Sequence, residues 1–250
     1  MMRRPLVLLL LVCFLTCFLT TILSAAAQDN AKPAAATPAT AAPEPNTKAS
    51  GRVEAAGNVL DEIQAAPDQR IPEEILGSAE CVAVVPSLLN AGFVFGGRYG
   101  KGVASCRTPK GWSAPAFFTI GGGSFGLQIG GQATDVVMLI MNKHGMDDLL
   151  SSKFKLGGDA SAAAGPVGRH AAADTDWKMR AEVLTYSRSR GLFAGLELSG
   201  AVIKQDKDST REFYGRMVPF KTSLKGDIEA PKDAYPFLST LAKWAQEAAK

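Results

Sequence analysis

Gly122-Gly123-Ser124-Phe125-Gly126 has the G-x-S-x-G spacing of a nucleophile elbow, and Asp147 or Asp159 followed by His170 would complete the chain order of an esterase triad. An elbow holds its serine between a strand and a helix. Here Phe125, Leu127 and Ile129 alternate with Gly126, Gln128 and Gly130, the period of a strand, so the context predicts a serine in a glycine-rich β-turn. The two histidines, His144 and His170, stand 26 positions apart without an H-E-x-x-H pair, and they are too distant from each other and from the two cysteines to show the ligand spacing of a zinc centre. Neither a metal nor another cofactor is expected. Gly96-Gly97-Arg98-Tyr99-Gly100-Lys101-Gly102 lacks both the spacing of a phosphate-cradling loop and a helix behind it, so it is not read as a nucleotide site. The chain is expected to be non-enzymatic, with a serine hydrolase using Ser124 as the alternative.

Charge placement carries a stronger signal. No acidic residue falls between Glu80 and Asp135, whereas Arg98, Lys101, Arg107 and Lys110 fall within 13 positions, with Tyr99 and Trp112 beside them. Guanidinium and ammonium groups bond phosphate, and tyrosine and tryptophan suit an apolar–aqueous boundary, so these six residues are the candidate lipid-binding set. The alternative is a group of solvated strand-edge charges.

The elements that must position these residues follow from periodicity. Val53, Ala56, Val59, Leu60 and Ile63 form a helical stripe over Arg52 to Gln64, with Arg52, Glu54, Asp61 and Glu62 mostly off it; the pattern fits a helix docked on a core better than a membrane-surface helix. Pro72 suits the first turn of a short helix to Ala79. A strand from Cys81 is expected to stop at Pro86, Gly92 to Arg107 to form two strands about a glycine-rich bend, and Trp112 to Ile120 and Val136 to Met141 to form further strands. Asp147 to Ser152 reads as a short helix. Alternation over Met179 to Val183 and again over Leu192 to Val202, separated by Ser189-Arg190-Gly191, predicts a hairpin. Phe237, Leu238, Leu241, Trp244 and Ala248 mark a closing helix over Tyr235 to Ala249. Gly92 to Gly131 contains 12 of the 25 glycines, a density suited to bulges and sharp bends. The expected fold is α+β: a strongly bent antiparallel sheet or barrel with helices at its N- and C-terminal ends.

Arg3 and Arg4, the apolar run Leu6 to Leu23 and Ala25-Ala26-Ala27 read as a signal peptide over residues 1–27, with an uncleaved anchor as the alternative. Residues 28–50, rich in Ala, Pro and Thr, read as a linker, and 51–250 as a single domain. An exported, periplasmic or envelope-associated protein follows. In that compartment Cys81 and Cys106 are expected to form a disulfide, contributing about 3 kcal/mol by loop entropy, with two buried thiols as the alternative. Of 250 residues 46% are hydrophobic, enough for a core. Without the leader, 25 basic residues face 24 acidic ones. That balance lacks the basic excess of a nucleic-acid binder.

Several strings stand together in order: YGKGV from Tyr99, WSAPAF from Trp112, GGSFGLQIGGQATDVV from Gly122, LGGDASAAAGPVGR from Leu156 and YSRSRGLFAGLELSG from Tyr186. Through them the chain resembles the SYLF domain family from roughly Arg52 to Gly215. The resemblance implies a lipid-binding module, one that recognises phosphoinositides in eukaryotic members and also binds actin in yeast relatives. This chain has a leader where those relatives are cytoplasmic, no room for an SH3 domain and no paired C-x-x-C motifs of a FYVE module, so actin is not an expected partner. It looks like an exported bacterial member whose partner is an anionic phospholipid or membrane surface. A scaffold that binds another envelope protein through the same face is a further alternative.

Overall fold

Continuous apolar runs such as Cys81 to Val85 and Val136 to Ile140 give the middle of the sheet two buried faces, and helices from both ends of the described chain cover one of them. The computed structural model describes residues 49–66, 70–92, 95–125, 130–151, 153–167, 181–189, 192–195 and 198–247. The leader, most of the linker, the alternating segment 126–129, His170, Met179, Arg190 and Gly191 lie outside the described residues. In order come α1 (Ala49–Gln64), α2 (Glu73–Ser78), β1 (Cys81–Gly92), β2 (Phe95–Thr108), β3 (Gly111–Trp112), β4 (Ala116–Phe125), β5 (Gly130–Ile140) and α3 (Lys143–Leu150). Then follow β6 (Lys153–Lys155), β7 (Ala162–Ala164), β8 (Val183–Ser189), β9 (Leu192–Gly195), β10 (Val202–Gln205), α4 (Lys207–Tyr214), α5 (Phe220–Leu224), a 3-10 turn at Lys232–Ala234 and α6 (Tyr235–Glu247).

The strands form one sheet in the order β6-β10-β4-β2-β1-β5-β8-β7, with β3 on β2 and β9 on β8. The described strand pairings are antiparallel except β7–β8, which is parallel, so the strongly bent α+β sheet expected from the sequence is present with one parallel pair at its margin. Phe154 on β6 and Val183 on β8 lie in the same buried cluster, together with Cys81, Ala83, Val85, Phe118, Val136 and Ile203. Side chains from opposite ends of the strand order share that core because the sheet is strongly curled, and α3 and α5 add Leu149, Phe220 and Leu224 to it. The outer face carries Val82, Val84, Val103, Phe117, Val137, Leu139 and Leu184 against α1, α2 and α6. No described helix is long and apolar enough to cross a membrane.

Four expectations need correction. Pro86 does not end the first strand: β1 runs on to Gly92 through a bulge that adds one residue between Val85 and Leu88, with Ser87 at φ 60°. The missing proline N–H falls where ladder pairing is already interrupted, and the Ser87 N–H donates to Asp135 Oδ1 at 3.0 Å. Gly96 to Gly102 make no bend, because β2 is one strand of 14 residues. Its glycines leave space instead: a Cβ on Gly102 would meet Phe118 Cζ at 2.4 Å, and one on Gly100 would meet Val85 Cγ1 at 2.6 Å. Trp112 and Ile120 belong to different strands, β3 and β4. Leu192 and Val202 also part company. The expected hairpin is present as β8 and β9, but a turn with Gly200 at φ +83° sends the chain across to β10, which pairs with β4 and β6.

Candidate functional site

The six sequence-marked residues occupy two separate places on β2 and β3. At one end, Arg107 donates from Nε to the Ala79 carbonyl at 2.8 Å and from Nη2 to the Gly77 carbonyl at 3.1 Å, closing the C-terminal end of α2. Its guanidinium also lies 4.7 Å from the centroid of the Trp112 ring. Burial pulls the Arg107 pKa below its ordinary value, against Glu80, which raises it. Arg107 and Trp112 therefore hold structure. Lys110 is exposed in the turn between β2 and β3, where its N–H donates to Thr108 Oγ1 and Gly111 takes φ +110°.

Arg98, Tyr99 and Lys101 lie toward the other end of β2, roughly 20 to 30 Å along the strand from Arg107 at about 3.3 Å per residue. Strand alternation puts half-buried Arg98 on the inner face with Gly100 and Gly102, and Tyr99 and Lys101 on the outer face. Tyr99 is 51% exposed and directly opposite Leu89, itself 43% exposed. With Tyr235 they are the exposed large hydrophobics among the described residues.

Register extends this region to residues that the linear sequence did not mark. Lys101 lies opposite Thr119, Thr119 opposite Lys204, and Lys204 opposite Lys153, one line across β2, β4, β10 and β6. The next line runs Leu89, Tyr99, Gly121, Val202 and Lys155. Directly paired residues point to the same face, so this uncovered corner of the outer face presents Lys153, Lys155 and Lys204, all exposed, beside Tyr99 and Leu89. Lysines protect an edge strand such as β6 from pairing with other chains, but β10 is an interior strand and Lys204 needs another reason. Like charges directly opposite each other cost stability. The signal for this patch was the KFK triplet and Lys204, too far apart in sequence to group before the register was known.

Beneath the corner lies a buried ionic network. Lys101 Nζ is 2.9 Å from Asp206 Oδ2, Arg52 Nη1 donates to Ser209 Oγ at 3.0 Å, and Ser209 donates to both Asp206 oxygens while Asp206 caps α4. Arg52, read from the sequence as off the buried stripe of α1, is 1% exposed and lies over the Phe117 ring at 5.8 Å. Burial lowers the Arg52 pKa, against Asp206 and Glu212. Burial raises that of Asp206, but the bonds from Lys101 and Ser209 outweigh it and hold the carboxyl below its ordinary range. The outer face thus keeps its anion buried and its ammonium groups at the surface.

The remaining marked residues separate. Ser124 lies within β4 opposite Gly96, and the next described element is the strand β5, so the described residues form no strand-to-helix elbow. Asp147 is in α3, while Asp159 accepts from the Lys155 N–H. His144 lies beside Asp148 and Glu182, carboxylates that sequence spacing did not connect with it. Cys81 and Cys106 face each other across β1 and β2 and form a disulfide, both fully buried.

Comparison with known proteins follows this geometry. The family model Ysc84, described as "Las17-binding protein actin regulator", matches residues 121–244. Protein YSC84 of Saccharomyces cerevisiae is 36% identical over 178 residues, covering 70% of this chain and 38% of that protein. SH3 domain-containing YSC84-like protein 1 of Rattus norvegicus is 33% identical over 182 residues, covering 71% of this chain and 53% of that protein. The chain thus spans about half or less of the length of these relatives. The strings from Tyr99 to Gly200, the curled sheet and these matches agree: the chain belongs to the SYLF family of Ysc84-type domains.

Proposed function

We propose that this domain docks on anionic phospholipid membranes through the uncovered corner of its outer sheet face. The observation that carries the reading is the register: Lys153, Lys155 and Lys204 converge from two strands beside the exposed pair Tyr99 and Leu89. Phosphate head groups would neutralise the Lys153–Lys204 repulsion, and Tyr99 and Leu89 would enter the apolar boundary. The reading moves the lipid contact away from Arg107, Lys110 and Trp112 and keeps Tyr99 and Lys101. Export to an oxidising envelope compartment belongs to the same proposal and is supported by the buried disulfide.

Vesicle co-sedimentation tests it. Each exposed lysine near an anionic surface contributes about 1 kcal/mol, so replacing Lys153, Lys155 and Lys204 with Gln should weaken binding to phosphatidylglycerol-containing vesicles at least about tenfold. Lys110→Gln should change it little. Equal binding by the triple variant and the parent would reject the site. Salt-insensitive binding to pure phosphatidylcholine would reject the charge-led mechanism.

A further inference from the structure

Asn142 caps α3, its side-chain oxygen accepting the Gly145 N–H at 2.9 Å, and this sets His144 and Asp148 one turn apart on the same side of the helix. The helix is held close to the start of β8. Met141 N–H donates to the Glu182 carbonyl at 2.9 Å, and Gly145 leaves room for that carbonyl, which a Cβ would meet at 3.1 Å. Ser161 then orients the Glu182 side chain, donating from its backbone N–H at 2.5 Å and its hydroxyl at 3.1 Å to Oε2, so that Oε1 faces the helix. His144 Nδ1 is 2.5 Å from Glu182 Oε1 and 3.6 Å from Asp148 Oδ2, and the three donor atoms lie within 4.8 Å of one another.

Two carboxylates therefore converge on one imidazole nitrogen, which carries at most one proton. Glu182 lies at bonding distance from it; Asp148 Oδ2 is sealed from solvent with no hydrogen-bond donor in reach. A buried carboxylate oxygen in that state is costly. We propose that His144, Asp148 and Glu182 bind a divalent first-row transition cation, of which zinc is the probe of choice. One imidazole nitrogen and two carboxylate oxygens are a donor set for zinc or manganese, whereas magnesium and calcium favour all-oxygen sets. The cation binds the lone pair of Nδ1, a neutral imidazole keeping its proton on Nε2 and an imidazolium giving one to solvent, and it gives Asp148 Oδ2 a positive partner closer than Nδ1 at 3.6 Å. Ser161 supplies the supporting bond that such ligands ordinarily have. His144 is 71% exposed, so water reaches the remaining coordination position. Binding would pin α3 to β8 across 38 positions of sequence, a spacing that no linear metal motif describes.

The test is isothermal titration of the metal-stripped full chain with zinc chloride, followed by X-ray absorption of the loaded protein. One zinc should bind and raise the melting temperature. His144→Ala and Asp148→Asn should each weaken binding about tenfold or more while leaving the melting temperature in EDTA near that of the parent, and His170→Ala should bind like the parent. The absorption spectrum of the parent should give a nitrogen and oxygen shell with a single imidazole, a readout independent of any variant's folding. Parental affinity in both ligand variants, loss of binding in His170→Ala, sulfur or a second imidazole in the shell, or no zinc uptake by the parent would each overturn the assignment.

Discussion

Asp206 joins three parts of the chain at a single carboxylate: β2 through Lys101, α1 through Arg52 and Ser209, and α4 through its own cap. Replacing it with Ala removes the cap and takes from buried Arg52 an anion 3.8 Å away, so Asp206→Ala should destabilise the domain by about 3 to 5 kcal/mol in urea unfolding. The sign of the pH dependence follows from its lowered pKa. A carboxyl whose folded pKa is below its unfolded value stabilises fully above the unfolded value, about 4, and loses that contribution as pH falls through the folded value. Stability of the parent should therefore fall more steeply below about pH 4 than that of Asp206→Asn. Equal slopes would remove Asp206 from the acid response. None of this was legible in sequence, because Arg52 stands 157 positions from Ser209 and a charged residue beside an apolar stripe is ordinarily solvated.

Among the elements, α1 and α6 could be read because their apolar residues repeat at helical spacing, α2 because Pro72 suits its first turn, and β5 in part because Val136 to Ile140 is one apolar run; β6 and β7, at three residues each, are too short to show a period. β2 could not, since Gly96, Gly100 and Gly102 suggest a bend in the linear sequence but are alternate, inward positions of a single strand. Their role is space. Gly102→Ala would place a methyl 2.6 Å from the Val84 carbonyl oxygen as well as against Phe118, and should cost about 2 kcal/mol or more. Gly123→Ala, with nothing within 4 Å, should stay within about 0.5 kcal/mol of the parent. Similar losses at both positions would mean that the close contacts around Gly102 do not set its cost. Pro86 misled for a related reason: local chemistry marked a stop, and the sheet absorbed it as a bulge that also reverses which alternate residues face inward, so that Leu88 joins Val85 in the inner core. β10 and α4 escaped notice because VIKQ and KDSTREFY are short and polar, and their positions depend on long-range partners in β4 and α1.

At the scale of the whole molecule, the helices cover the outer face only as far as the line of Val84, Val103 and Phe117, and beyond it the sheet meets solvent at Lys101, Tyr99 and Leu89. A membrane contact there fixes an orientation: the corner bearing β6, β10 and the far part of β2 faces the bilayer, and the α2–β3 end with Arg107 and Trp112 points away. A tryptophan at position 99 reports that geometry. Tyr99→Trp should keep an aromatic ring at an exposed, directly paired strand position, and its fluorescence in anionic vesicles should shift to the blue and be quenched by brominated lipid chains beyond the level of the parent's own tryptophans. Both effects should fade as salt rises, because exposed charges are screened beyond about 8 Å at physiological ionic strength. They should also fade when Lys153, Lys155 and Lys204 are replaced together. Quenching no greater than in the parent, with vesicle binding intact, would place the membrane contact at another part of the surface and leave the lysine lines to a soluble anionic partner.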